Sequence, residues 1–396
     1  MEVLAGIRIL DLSSFQSGPV AGMFLGDMGA EVIRIEDPEG APDRSWGLLG
    51  PDGETLSYKI TGRNRKGISL RLNKPEGENI FNELVRKSDV VLHNSTPGTA
   101  VADLLHYERL KKVHPTIIVA AISGFGQNGP DAGQVCFDQI AQARSGGMML
   151  TGFPGDPPLK TTVTYNDIGA GTYAALGIMM ALYHRERTGK GQFVDVSLLD
   201  TAFFATQCMG SLLLYKIYGE MRTQVGNRGF QSYLGCFKAV DGWIFLSGTT
   251  NPIWKRLMRT IGREDMAHDP DFSENDMVRF ERADLIDKVL EPWVAQRTVE
   301  EVLKLLQAAR VPCGVVNTID KLENDPQVMA RKMIAIIDYP KIGGIPVPTL
   351  PFKLSLTPGS IKSRSPKIGE DNKEIYYRLL GLSQKEFKAL KKQDII

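Results

Sequence analysis

An α/β fold in two parts, a large Rossmann-like sheet-and-helix domain and a smaller α+β one, is what the sequence predicts. Three observations carry that prediction. A β-branched run near the start is followed by an apolar helix and a second such run. The same alternation then recurs loosely as far as residue 198. Past about residue 205 the texture changes to a hairpin followed by amphipathic helices.

Residues 7–12 (IRILDL) read as a buried strand. Pro19 suits a first helical turn, residues 20–28 continue that helix, and Gly29 ends it. Glu31–Glu36 is the second strand, so a βαβ unit and a parallel sheet are expected. Residues 67–72 and Val90–His93 are strand-like, with an amphipathic helix over 76–87 between them. Helix Tyr107–Val113 leads into a strand over 116–122. The helix over 168–186 is apolar on nearly all faces at its centre, which predicts deep burial. A turn at 188–191 and a strand over 193–198 follow.

In the second part, 235–240, the turn Asp241-Gly242 and 243–246 predict a hairpin. Helices are expected near 252–262, 276–295 and 298–309. Residues 345–368, rich in Pro, Gly, Ser and Lys, read as an extended connector before a helix pair, 372–380 and Gln384–Lys392. The expected organisation is a large domain beginning over 1–205, a linker over 206–224, a small α+β domain over 225–320, and a connector with a return to the large domain over 321–396.

Composition narrows the function classes. With 42% apolar and 23% charged residues, the chain has the make-up of a globular protein with a sizeable core. Lys and Arg total 47 against 46 Asp and Glu, a balance that sets up no field for nucleic acid or an anionic membrane. No run approaches the ~18 apolar residues of a spanning helix. The start lacks the cationic and apolar segments of a signal peptide. A soluble, cytoplasmic protein is expected. Cys136, Cys208, Cys236 and Cys313 are far apart with no CxxC pair, so reduced, buried thiols are expected and no disulfide framework. The five histidines show no ligand spacing, and no metal is expected.

The βαβ start raises a nucleotide-dependent oxidoreductase as one reading, with Glu36 where an acidic residue would hold a ribose. The loop after the first strand carries no GxGxxG; Phe15 and Gln16 stand where glycines would let backbone amides close on a pyrophosphate. Asp167 offers different chemistry, directly before the 168–186 helix. It has two readings there. As an N-cap it is structural, contributing about 1 kcal/mol. As a carboxylate favoured by the helix N-terminus, with Gly169 and Gly171 opening the backbone to a ligand, it is a nucleophile able to attack a thioester.

Several stretches decide between these readings by their order and spacing. They are LAGIRILDL (4–12), GDMGAEVIRIE (26–36), SGFGQNGP (123–130), TGKGQFVDVSLLD (188–200), IGE (368–370) and LGLS (380–383). Carrying them, the chain resembles the class III CoA-transferase family, which includes formyl-CoA transferases, carnitine CoA-transferases and α-methylacyl-CoA racemases. The resemblance implies that Asp167 is the nucleophile, that CoA is a substrate with no separate cofactor, and that small carboxylic acids are the partners. It also implies ring-shaped subunits interlocked as a homodimer.

By resemblance, Phe15 and Gln16 lie beneath the pantetheine arm, Asn94 touches CoA, and Leu70, Arg71, Leu72 and Asn73 form the segment around the adenine. Read without it, Phe15 is loop packing and Asn94 a turn residue. Three family positions differ: Asp37, Asn73 and Ala102 replace basic residues that meet CoA phosphates, leaving Lys66, Arg71 or Lys74 as substitutes. Racemase members carry a His in the segment matched here by Cys136-Phe137-Asp138; Phe137 cannot exchange a proton, which favours the transferase. Asp138 matches an acidic residue near the nucleophile. The loop over 226–231 lacks the glycine run of formyl-CoA transferases, and its Arg228 is a candidate to meet a dicarboxylate.

Overall fold

The computed structural model describes residues 2–396. The chain divides into two compact units, one of residues 2–147, 160–220 and 329–396, the other of 148–159 and 221–328.

The first unit is built on six parallel strands: β1 (Arg8–Asp11), β2 (Glu31–Glu36), β3 (Arg65–Ser69), β4 (Val90–His93), β5 (Ile118–Ser123) and β6 (Phe193–Ser197). Their order across the sheet is β3-β2-β1-β4-β5-β6. Successive side chains point to opposite faces, so Ile9, Val32 and Val90 pack on one side while Leu10, Ile33 and Val91 pack on the other. Helices α1 (Ser17–Asp27) and α5 (Tyr165–Thr188) cover the first face, and α2 (Pro75–Arg86) and α3 (Tyr107–Val113) the second. Two further helices, α4 (Asp138–Arg144) and α6 (Leu198–Gln207), complete the neighbourhood of α5.

Strand β3 begins at Arg65, two residues before the expected start, and ends at Ser69. Its opening was hidden by charge. Arg65 is fully buried against Asp11 at 3.0 Å, and Lys66 pairs with Glu31 and Glu374. Leu70, Arg71, Leu72 and Asn73 therefore lie beyond the strand rather than in it.

The long helix α5 corrects a second expectation. It is buried along one stripe only, with Ala170, Gly171, Ala174, Ile178 and Ala181 against the sheet and α1. Small residues occupy that stripe because the helices come very close: a Cβ on Gly171 would lie 2.5 Å from the Ser17 carbonyl oxygen. The larger apolar side chains Tyr173, Leu176, Met180 and Tyr183 point outward, the last two 61% exposed.

The second unit contains β7 (Leu234–Lys238), β8 (Trp243–Ser247) and β9 (Cys313–Val315), all antiparallel, over a core that includes Trp254, Ile286, Leu290 and Leu306. The single helix expected over 276–295 is two, Asp276–Glu281 and Ala283–Ala295, separated at Arg282.

Toward the C-terminus, a hairpin of β10 (Ile334–Tyr339) and β11 (Gly343–Pro348) takes in the first residues of the expected 345–368 connector. Pro346 and Pro348 argue against a strand by pattern. They are tolerated because they are two apart, so both missing N–H groups fall on one side of a two-stranded ribbon. The return segment then seals the sheet edge: Gly67 N–H donates to Asp371 at 2.7 Å and Ser69 N–H to Asn372 at 3.0 Å. Residues Glu374–Leu379 form a π-helical turn before α7 (Gln384–Lys392), which Ser383 and Glu386 cap reciprocally. The cysteines depart from the buried-thiol expectation: Cys208 is exposed and the other three are half-buried. Among the described residues, no single helix is long and apolar enough to cross a membrane.

Candidate active site

The strand order reverses direction between β1 and β4, and in such sheets the chain leaves the two strands on opposite faces, opening a crevice beyond their carboxyl ends. A cavity of about 140 Å³ lies there. Its wall includes Phe15 after β1, Asn94 after β4, Gly124 after β5, Cys136 and Phe137 before α4, and Asp167 on α5.

Each wall residue is held by a local device. Asn94 pairs with the Ser14 backbone on both sides of its amide, accepting from Ser14 N–H at 3.0 Å and donating to its carbonyl at 2.7 Å. Asp11 accepts from Ser13 N–H at 2.9 Å, so the turn after β1 is fixed from two directions. Phe15 is thereby held at φ +64°, a left-handed conformation that a bulky side chain rarely adopts. Its ring meets the edges of Trp46 at 5.8 Å and Phe137 at 5.6 Å between centroids. Gly124 has no side chain because Cys136 lies on it; an added Cβ would sit 2.2 Å from the Cys136 Cβ.

Asp167 occupies the third position of α5, not the N-cap, which is Thr164. The cap is supplied from 28 residues away: one oxygen of the buried Asp138 accepts from Asn166 N–H at 2.8 Å and Asp167 N–H at 3.2 Å. Those are orphan donors of the first turn, satisfied here by a carboxylate in place of a local Ser or Thr. Burial pushes the Asp167 carboxyl up to about 7, with the neighbouring Asp138 adding to the effect. Burial beside Asp138 thus opposes the preference for the ionised form that a helix N-terminus confers. Gly169 and Gly171 do not open the backbone to a ligand either; added Cβ atoms would strike Thr201 on α6 at 2.8 Å and Ser17 on α1 at 2.5 Å.

Other expected site residues lie outside the wall. Gln16 sits at the N-cap of α1, its carbonyl accepting from Val20 N–H at 2.9 Å. Leu70 is buried under the sheet, Leu72 packs beside it, and Asn73 is exposed. Arg71 is tied to Asp394 at 2.8 Å and reaches Asp37 at 3.4 Å; Lys74 donates to the Gln393 carbonyl. Arg228 is bound by Asp287 and Asp284 within the second unit, which fixes it as a structural cation there. Glu36 is buried and taken by Arg44 and the Ala41 N–H, leaving no carboxylate for a ribose. Residue-by-residue reading missed Trp46, Cys136 as a wall residue, and Gln142, which donates to Asp138 from the next turn of α4. Only an aromatic between two prolines and a Gln four residues after an Asp mark them.

Chemically, this arrangement can present a carboxylate to a thioester in a partly apolar cleft. Among the described residues its wall holds no histidine. His93, just below on β4, is buried and kept neutral, its imidazole lowered to about 4 by burial.

Comparison with known proteins agrees with this chemistry. The model of the family described as CoA-transferase family III matches residues 4–372. A succinyl-CoA–D-citramalate CoA-transferase of Chloroflexus aurantiacus is 33% identical over 99% of this chain and 98% of its own. A formyl-CoA:oxalate CoA-transferase of Streptomyces coelicolor is 31% identical over 100% of this chain and 99% of its own. Among solved structures, a CAIB/BAIF family protein from Brucella suis superposes with a TM-score of 0.82 at 30% identity, covering 96% of this chain and 99% of that one.

Proposed function

The chain belongs to CoA-transferase family III, and from that premise we propose that it moves CoA from succinyl-CoA to a second, dicarboxylic acid through covalent intermediates on Asp167. The observation that carries the assignment is the Asp167 carboxyl in the wall of the switch-point cleft, with its backbone N–H held by Asp138. The dicarboxylic class is inferred from the Chloroflexus relative, named for succinyl-CoA and citramalate.

The steps balance without a metal or redox cofactor. The Asp167 carboxylate attacks the thioester carbonyl, an anhydride forms, and CoA leaves as thiolate. The thiolate then attacks the aspartyl carbonyl of the anhydride, giving an aspartyl-CoA thioester and releasing the donor acid. The acceptor carboxylate attacks that thioester, forming a second anhydride. The returning thiolate takes the acceptor acyl group and frees Asp167. Phe15 and Phe137 line the cavity with the carboxyl, and Trp46 packs on Phe15, which gives the acyl thioester an apolar approach. On the family resemblance, Gln16 and Asn94 border the path of the pantetheine arm and the backbone of Leu70, Arg71, Leu72 and Asn73 runs beside the adenine, the Leu70 side chain itself being buried.

We read the first unit as Rossmann-like on its strand order, and the protein as a cytoplasmic, interlocked homodimer that binds neither nucleic acid nor membrane. The outward row Tyr173, Leu176, Met180 and Tyr183 on α5 supports the dimer, since a second copy would cover it. The racemase reading lacks a base opposite a carboxylate in this cleft.

The test is to incubate the protein with succinyl-CoA, trap with hydroxylamine, and map the modified peptide by mass spectrometry while screening dicarboxylic acceptors. Modification at Asp167, and acceptor-dependent exchange that Asp167→Asn abolishes, are expected. An adduct elsewhere overturns the nucleophile. Deuterium entering the α-carbon of a 2-methylacyl-CoA in heavy water, without exchange, overturns the transferase.

A further inference from the structure

Behind the cleft, α4 carries a buried polar contact that the reaction scheme leaves unused. Gln142 is 8% exposed and Asp138 1%. The Gln142 side-chain oxygen accepts from the Thr161 backbone N–H at 2.9 Å, and its NH2 donates to one oxygen of Asp138. The other oxygen of Asp138 receives Asn166 N–H and Asp167 N–H.

The donors and acceptors permit one orientation. Were the Gln142 amide turned over, its NH2 would face the Thr161 N–H and its oxygen the carboxylate, two repulsive contacts in a buried place. Thr161 thus sets the amide, the amide sets the carboxylate, and the carboxylate sets the first turn of α5. Asp138 meets donors on both oxygens.

We infer that Gln142 is a positioning residue for the transfer reaction: turned by Thr161, it holds Asp138 in the orientation that fixes the backbone carrying Asp167. This rests on Asp167 being the nucleophile. A neutral amide is suited to the place because it donates without adding charge. The titratable groups around Asp138 are Asp167 on α5 and the Cys136 thiol just before α4; burial raises that thiol to about 11, so it stays neutral. Arg144, on α4 itself, is paired with Asp131 at 2.8 Å. Helix α6, also packed on α4, brings Asp200, which bears on Asp195 instead.

The experiment uses Gln142→Met and Gln142→Glu in the full chain. With carbon-13-labelled aspartate, and Asp138→Asn to assign the signal, NMR follows the Asp138 carboxyl directly. Losing the Gln142 donor moves the Asp138 carboxyl carbon signal in Gln142→Met at fixed pH. In parallel, kcat for succinyl-CoA-dependent exchange falls about tenfold or more while KM stays within about twofold, because positioning acts on the reacting group rather than on CoA.

Gln142→Glu covers the case in which the Met variant fails to fold. Protonated, the introduced carboxyl donates as the amide does; ionised, it repels Asp138, so activity gains a high-pH limb that the parent lacks. An unmoved Asp138 carboxyl signal overturns the inference, as does a moved signal with unchanged kcat, or a Gln142→Glu variant with the parent pH profile. Because the carboxyl signal is read without turnover, it tests the contact even if trapping places the nucleophile elsewhere.

Discussion

A carboxyl that titrates near 7 pulls activity and stability in opposite directions. Asp167 must be ionised to attack, so kcat/KM for acyl-CoA is expected to rise with pH through about 7 and level off above it, read in a pH–rate profile of the free enzyme. For stability the sign is reversed. The folded state holds this proton up to about 7, whereas the unfolded chain releases it near the ordinary 3.8. Stability from this group is therefore full below the lower value and lost as pH climbs to the upper one. Asp167→Asn removes that loss. Above pH 7 it is expected to be more stable than the parent by on the order of 2–4 kcal/mol, the lower figure allowing for partial exposure, with the gap closing toward pH 4. Thermal melts of both proteins at pH 4 and pH 8 check it. Asp138→Asn keeps an acceptor for the α5 N–H groups but removes the charge, so its activity limb should move to lower pH. At this scale the family resemblance names Phe15, Asn94, Phe137 and Asp167, which share one cavity wall, while the residues read singly give a chemical reading to Asp167 alone. That Asp138 caps α5 was not legible, because the contact joins residues 28 apart and no local rule links them.

Elements were read correctly where side-chain pattern and environment agree, and misread where a polar or constrained residue sits in a satisfied place. Strand β3 hides behind Arg65 and Lys66 because both are paired; β11 hides behind two prolines whose absent N–H groups face one way. Helix α5 was placed to within three residues at its start, yet its burial was overestimated because apolar composition does not say which face meets the sheet. Its glycines were read as ligand access and are contacts between helices. This gives an element-scale prediction. Gly171→Ala puts a methyl against the Ser17 carbonyl oxygen, which is backbone and cannot swing aside, so α1 and α5 must separate. A cost of about 1–3 kcal/mol is expected, as for overpacking in a core, measured by urea unfolding. Since α5 carries Asp167 and α1 follows the Phe15 turn, the exchange rate should fall more than CoA affinity. Equal loss of both would mean that the helix contact serves stability alone.

For the whole molecule, what remains is the apolar surface that one chain leaves uncovered. Tyr173, Leu176, Met180 and Tyr183 recur at intervals of three, four and three along α5, one helical face, while the opposite face is already spent on the sheet. Nearby Phe203 and Phe204 on α6 are also about half exposed. Such a row belongs to a covered surface, and within the chain Tyr173 meets Phe204 and Tyr183 meets Arg187 while all four stay 40–61% exposed. If a second copy supplies that cover, charge placed in the row should separate the copies. Leu176→Glu with Met180→Glu introduces two carboxylates in each chain that would have to be desolvated together, a cost of several kcal/mol per buried charge. The expected outcome is a parent that sediments as a dimer at micromolar concentration and a variant that sediments as a monomer. The variant's monomers should also bind a dye for exposed apolar surface more strongly. Exposed glutamates on a monomer are cheap, so a parent already monomeric would show no change in either measurement, and the interlocked dimer would then be rejected. Substitution at Glu281, on a short helix of the second unit far from this row in sequence, serves as the control for added or removed charge.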